Sequence, residues 1–210
     1  MTGRRIWDIS QTLRPGLPVW PGDTPFAFDR TWRMEDGSPV NVGRMVMSTH
    51  SGTHGDAPLH YAANGADAAG MMLDPYLGEC LVVDVRHVTR QPIGIDDLPQ
   101  LDGAERVLLR TYDDFPHGVW QPDFTAIAPE TIRWLAANGV QLIGTDAPSL
   151  DPQDSKDMAA HQAVLQVDMR ILEGLVLDDV PPGRYELIAL PLKIGGGDAG
   201  LCRAILRELA

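Results

Sequence analysis

The chain has 210 residues, 44% of them hydrophobic and 22% charged, which is the composition of a soluble globular protein with enough apolar residues for a sizeable core. A formal net charge of −12 excludes the basic footprint of a nucleic-acid binder and disfavours attachment to anionic membranes. No run of about 18 apolar residues offers a membrane span, and the start, Met1-Thr2-Gly3-Arg4-Arg5-Ile6-Trp7-Asp8, lacks the apolar stretch of a secretory signal, so the expected location is the cytoplasm.

There is no internal repeat or low-complexity tract, and a single domain over residues 1–210 is expected. From Arg14 to Asp23 prolines and glycines predict turns and loop. Val40 to Thr49, rich in Val and Met, predicts a strand running into the most informative segment of the chain. Glu79 to Val85 and Arg106 to Thr111 predict short buried strands. Pro129 to Asn138 predicts a helix, with Pro129 at a first helical position, Glu130 at the positive end and Gly139 as the stop. Val140 to Thr145 predicts a strand, and Asp157 to Asp168 a second helix capped by Ser155 or Asp157. Leu172 to Leu177 and Tyr185 to Leu192 predict strands, whereas Leu201 to Leu209 fits strand or helix. Strands alternating with fewer helices predict an α/β domain with a mixed sheet.

The segment His50-Ser51-Gly52-Thr53-His54-Gly55-Asp56-Ala57-Pro58-Leu59-His60 holds three of the six histidines and a carboxylate. Imidazole and carboxylate are ligands for first-row divalent metals. On an extended strand, side chains alternate faces, so His50, Gly52, His54 and Asp56 would share one face, with His60 just beyond Pro58. Gly52 would then leave room for an ion between its neighbours. Gly52, Gly55 and Pro58 argue against a helix that pairs His50 with His54. A structural polar loop is the alternative reading.

Other motifs are weaker. Gly195-Gly196-Gly197 lacks the Lys-Ser/Thr of a phosphate-binding loop and reads as a flexible turn. Asp151 to Asp157 lacks the spacing of a calcium loop and reads as a solvated loop with a helix cap. There is no Gly-x-Ser-x-Gly elbow, and Ser51 beside His50 does not make a triad. Cys80 and Cys202 read as free thiols in or near the core, and His87 and His117 as surface or loop residues.

The run His50-x-Gly52-Thr53-His54-x-Asp56-x-Pro58-x-His60 resembles the signature of the metal-dependent cyclase-like hydrolases, a family that includes bacterial kynurenine formamidases (arylformamidases) and isatin hydrolases. Val19-Trp20-Pro21-Gly22-Asp23-Thr24-Pro25, Gly144 to Asp151, Ser155 with His161, Ile171 to Leu175 and Tyr185 to Lys193 are also similar to the family, so the likeness spans nearly the whole chain. Length and the setting of Trp20 favour the kynurenine formamidase branch, while the Gly195–Gly200 run is more glycine-rich than that branch implies.

The resemblance implies a swivelling β/α/β fold with a barrel-like core, and two divalent metal ions, zinc ahead of manganese. It places His50, His54 and Asp56 on the first metal, Asp56 and Glu173 bridging to the second, and His161 completing the second. His60 is then the general acid/base, and Trp20 lines the substrate pocket. The implied reaction is hydrolysis of N-formyl-L-kynurenine to L-kynurenine and formate in tryptophan breakdown. The implied partners are a small aromatic formamide and a second copy of the chain, as a homodimer. Two alternatives stand beside it: a hydrolase of isatin or another cyclic amide, and a catalytically silent metal-binding protein on the same fold.

Overall fold

In the computed structural model, which describes residues 3–89 and 91–210, the apolar runs Leu81-Val82-Val83, Val107-Leu108-Leu109 and Leu142-Ile143 form the middle of a seven-stranded mixed sheet. Met1 and Thr2, part of the start read above for a leader, lie outside the described residues. In chain order the strands are β1 (Ile6–Asp8), β2 (Ala27–Trp32), β3 (Val42–Val46), β4 (His54–Asp56), β5 (Leu77–Asp84) and β6 (Arg106–Arg110). Helix α1 (Pro129–Ala137), β7 (Leu142–Thr145), helix α2 (Ala159–Gln166) and β8 (Arg170–Leu172) follow, then β9 (Gly183–Ile188), β10 (Ala199–Leu201) and β11 (Ile205–Arg207).

The sheet runs β1-β11-β9-β5-β6-β7-β8. Its β5 to β8 half is parallel and its β1 to β5 half antiparallel. Among the described residues no ladder joins β1 to β8, so the expected barrel-like core is an open half-barrel. Two short ribbons, β4 with β10 and β2 with β3, stand outside the sheet.

Because side chains alternate across a strand, the sheet divides two apolar cores. Val83, Val107, Leu109, Ile143 and Ile171 face the helices and pack with Ile132 and Leu135 of α1 and Ala160, Ala163 and Val164 of α2. Cys80, Val82, Leu108, Leu142 and Leu172 face the other way, onto Ile9, Tyr76, Leu175, Ala189 and Ala204. Both cysteines are free and buried, as their composition reading expects. No helix among the described residues is long and apolar enough to cross a membrane.

Helix α1 matches its expected start and ends one residue early, with Asn138 as C-cap and Gly139 at φ +89°. Other elements differ from the sequence expectation for local reasons. The predicted strand Val40 to Thr49 is regular only over β3, after which Ser51 N donates to Ser48 O and Gly52 takes φ +73°. The metal-ligand motif is therefore a turn followed by the three-residue β4, and not one extended strand. Gly52 does not vacate space for an ion: a Cβ there would lie 2.6 Å from Leu13 Cδ2. Helix α2 begins late, because Met158 is left-handed at φ +50°. The predicted strand Leu172 to Leu177 stops at once, since Gly174 turns the chain at φ +63°. The ambiguous tail is strand, as β11 completes the antiparallel half.

Gly174 has no room for a side chain. A Cβ would meet Gly52 O and Gln11 Nε2, each at 2.6 Å. Gly174→Ala is expected to lower stability by more than ~1 kcal/mol, from the left-handed backbone alone, with the clash added; the urea midpoint of the purified protein measures it.

Candidate metal centre

The two halves of the centre meet through backbone. His54 N donates to Glu173 O and Glu173 N to His54 O, at 3.2 and 3.0 Å. This isolated antiparallel bridge sets Glu173, just past the end of β8, directly opposite β4. Thr53 Oγ1 reinforces the bridge by donating to Gly174 O at 2.7 Å, and Gln11 N donates to Thr53 Oγ1 at 2.9 Å. On its other side β4 pairs with β10, Asp56 opposite Ala199.

Asp56 is at the middle of the cluster and fully buried. Its Oδ1 lies 3.1 Å from His50 Nδ1 and 3.3 Å from His54 Nε2. Its Oδ2 lies 3.3 Å from His161 Nε2. Glu173 is divided in the same way, with Oε2 3.5 Å from His54 Nε2 and Oε1 3.6 Å from His161 Nε2. Each carboxylate thus presents one oxygen to His54 and the other to His161. Leu150 N donates to Glu173 Oε1 at 3.1 Å and fixes that carboxylate in place.

Remote ring nitrogens are tied down. His54 Nδ1 donates to Gly52 O at 3.0 Å, which leaves Nε2 directed at the carboxylates. His161 Nδ1 is 2.6 Å from Asp151 Oδ2, and because a carboxylate only accepts, Nδ1 carries the proton there. Asp151 also accepts from Ala160 N and His161 N at 2.8 and 3.0 Å, so it caps α2 from outside. This corrects the capping expectation: Ser155 Oγ accepts from Met158 N before the helix begins, and Asp157 makes no cap contact with α2. Asp151 is buried, not part of a solvated loop.

His54 Nε2, Asp56 Oδ1 and His50 Nε2 are buried and have no partner in hydrogen-bond geometry. Orphaned buried nitrogen and oxygen atoms are costly; His54 Nε2 and Asp56 Oδ1 face one another at 3.3 Å, and His50 Nε2 faces Asp198, with imidazole and carboxylate as the neighbouring groups. That donor set fits a divalent metal. Groups of ligand atoms within 4.8 Å of one another are formed by His50, His54 and Asp56, by Asp56, His60 and His161, and by His50, His60 and Asp198.

The carboxylates of the cluster favour protonated imidazole beside them. Burial opposes a charge on His54, but Asp56 and Glu173 outweigh it and carry its pKa up to about 10. Burial likewise opposes a charge on His161, and Asp151 with Asp56 carries that ring up to about 10. Asp56 is held well below the usual carboxylate range despite its burial, by His161, His50 and His54. His60 moves the other way: burial of its ring, with His50 and His161 alongside, pushes it down to about 4. The His60 ring is 4.0 Å from the His50 ring and 5.8 Å from that of His161, at the open side of the cluster.

Above the cluster is a cavity of about 540 Å³ that reaches Trp20, Trp120, Pro148 and Met158. Trp20 packs edge-on against Trp120 at 5.4 Å and tilts against Phe124 at 6.2 Å. Trp120 Nε1 donates to Gln153 Oε1 at 2.6 Å. All seven residues singled out in the sequence are thus at one place, six around the cluster and Trp20 on the cavity wall. Asp151, Asp198 and Trp120 were not singled out. Asp151 lies ahead of the predicted helix, but Ser155 and Asp157 offered nearer caps and masked it. Asp198 had none beyond its unexplained glycine-rich loop. His87 and His117 are exposed, as expected, and lie near Asp97 and Asp178.

Fold and site together define a mixed-sheet protein whose cavity floor is a buried imidazole–carboxylate centre of the metal-dependent hydrolase class. The chain belongs to the Cyclase family, whose family model matches residues 7–152. It is 73% identical over 206 residues to the kynurenine formamidase of Erythrobacter litoralis (strain HTCC2594), covering 98% of this chain and 95% of that protein. A solved structure described as a potential metal-dependent hydrolase with cyclase activity superimposes with a TM-score of 0.84 at 31% identity, covering 99% of both chains. Isatin hydrolase A from Labrenzia aggregata shares the fold at a TM-score of 0.83 and 23% identity, covering 99% of this chain and 94% of that one.

Metal ligation requires neutral imidazole. If His54 and His161 ligate a metal, they give up protons when it enters at neutral pH. Zinc titrations in buffers of different ionisation enthalpy are expected to show net proton release and an apparent affinity that rises with pH. The metal-free protein is expected to behave oppositely in stability. A histidine whose folded pKa is raised stabilises fully below about 6.5, and that contribution is lost as pH rises towards about 10. Thermal melts of chelated protein from pH 6 to 10 test this.

Proposed function

We propose that this chain is a kynurenine formamidase, hydrolysing N-formyl-L-kynurenine to L-kynurenine and formate. The observation that carries the reading is the division of Asp56 and Glu173 between His54 on one side and His161 on the other, at the floor of a cavity with an aromatic wall. The 73% identity to a protein of that name, over nearly the full length of both, supports the choice of substrate.

In this reading His50, His54, Asp56, His161 and Glu173 would hold two divalent ions, with His50 and His54 on one side, His161 on the other and the carboxylates of Asp56 and Glu173 shared; zinc is preferred to manganese. Such ions supply Lewis acidity to the formyl oxygen and lower the pKa of water towards neutrality. The remaining work belongs to side chains. His60 is neutral at working pH, so it accepts a proton from the water that adds to the formyl carbon. As the carbon–nitrogen bond breaks, the same ring returns that proton to the departing arylamine nitrogen, and formate is released. Trp20 packs against the aryl ring, held by Trp120 and Phe124 so that its face is fixed before substrate arrives. The chain acts as one domain, residues 1–210, of the swivelling β/α/β type.

We also assign the β2–β3 ribbon to a homodimer contact. Phe28, Trp32 and Met45 are each more than half exposed there, next to half-exposed Val46. Sedimentation is expected to show a dimer, and a chain carrying Phe28→Glu with Trp32→Glu a monomer.

The decisive assay compares N-formylkynurenine and isatin on the metal-loaded protein, before and after chelation. Chelator-sensitive turnover of N-formylkynurenine is expected. Turnover of isatin alone would favour the cyclic-amide reading, and no turnover of either a silent metal-binding protein. His60→Ala is expected to keep both metals and lose about 10²–10⁴ in kcat, whereas Glu173→Ala is expected to lose metal by elemental analysis. A His60→Ala protein that turns over at the wild-type rate would remove His60 from the mechanism.

A further inference from the structure

We propose that Asp198, delivered by the glycine-rich loop Gly195–Gly197, is the positioning residue for His50: it accepts the Nε2 proton and so aims Nδ1 at the first metal. The inference rests on the metal assignment made above. The three metal-facing imidazoles differ in how their remote nitrogens are held. His54 Nδ1 has Gly52 O and His161 Nδ1 has Asp151. His50 enters the cluster in the opposite sense, Nδ1 towards Asp56, so its remote atom is Nε2. That nitrogen is buried and lacks a partner in hydrogen-bond geometry, yet Asp198 Oδ2 stands 3.2 Å away. A slight turn of the ring or the carboxylate brings the two into line. A carboxylate on the far nitrogen of a ligating histidine fixes the tautomer and makes the ring a better donor.

The loop is built to hold Asp198 there. Thr49 Oγ1 donates to Asp198 Oδ1 at 2.6 Å, leaving Oδ2 for His50. Ala57 N donates to Asp198 O, and Ala68 N to Gly197 O, which ties the loop to the segment just after Asp56. Gly196 N donates to Asp67 Oδ2 at 2.7 Å, with Gly196 at φ +72°. A Cβ at Gly197 would lie 2.9 Å from Ile194 Cγ2. The glycines thus serve a tight turn that returns an acidic side chain to the cluster.

The same atoms admit a competing role, since His50, His60 and Asp198 also lie within mutual ligand distance and Asp198 could itself bind a cation. Zinc affinity and stoichiometry separate the two. Wild type, Asp198→Ala, Asp198→Asn and Thr49→Val are compared by competition with a chromophoric chelator, and thermal melts of the chelated proteins control for folding. Asp198→Ala is expected to weaken zinc binding about 10–100-fold, with two zinc ions per chain still bound at saturation and the chelated melt unchanged. Asp198→Asn, which keeps an acceptor oxygen, is expected to lie between wild type and Asp198→Ala, and Thr49→Val to reproduce part of the loss. Unchanged affinity in Asp198→Ala overturns the proposal. So does a zinc equivalent that disappears at saturation, which would make Asp198 a ligand. A wild-type chain that binds no zinc overturns the metal assignment itself.

Discussion

Two carboxylates, Asp56 and Glu173, are buried within reach of the same two imidazoles, and the rest of the site answers to that constraint. Like charges this close inside a protein are strongly unfavourable unless positive charge stands between them. The chain surrounds the pair with His50, His54 and His161, and the carboxylates raise the pKa of each, to about 10 for His54 and His161. The backbone bridge between His54 and Glu173 makes the arrangement unavoidable, because it fixes both carboxylates relative to β4 before any side chain adjusts. The fold divides the pair: Asp56 is held well below the usual carboxylate range by His161, His50 and His54, while burial and the neighbouring Asp56 push Glu173 up.

The sheet explains why the site can be both buried and reachable. Its helix-facing core is closed by α1 and α2, and the opposite face is covered by loops from both ends of the described chain. The centre lies at the margin of that second layer, where β4 and β10 make a ribbon of their own instead of joining the sheet. Ligands on so short a strand owe their positions to neighbours on either side, Glu173 across one edge and Ala199 across the other. Trp20 and Trp120 line the cavity above the cluster, and His60 stands at its open side.

Much of this was legible in the sequence, and the failures are specific. His50, His54, Asp56 and His60 announce themselves by chemistry, and they converge even though the strand periodicity used to group them does not hold. A left-handed Gly52 brings His50 back to His54 by reversing the chain, and no alternation rule anticipates that. His161 and Glu173 were reached only through resemblance, since nothing local says that a helix residue and a residue after a strand will meet β4. The helix α1 was read nearly to the residue because its start and stop signals are local. Helix α2 was read too long because its cap, Asp151, acts from outside the helix across a loop. Asp198 shows the same limit: its value lies in what it touches, and Thr49 and His50 are far away in sequence.

The pairing of β4 with β10 also sets when the site can come into being. A ribosome releases the His50–His60 run long before residues 161, 173 and 199 emerge, so the nascent segment displays chelating side chains without the partners that would close around an ion. Joining them requires loops that span most of the chain, and such long-range closures come late in folding. The geometry that would hold an ion therefore exists only once the sheet has formed, and until then the emerged run is a set of unassembled side chains.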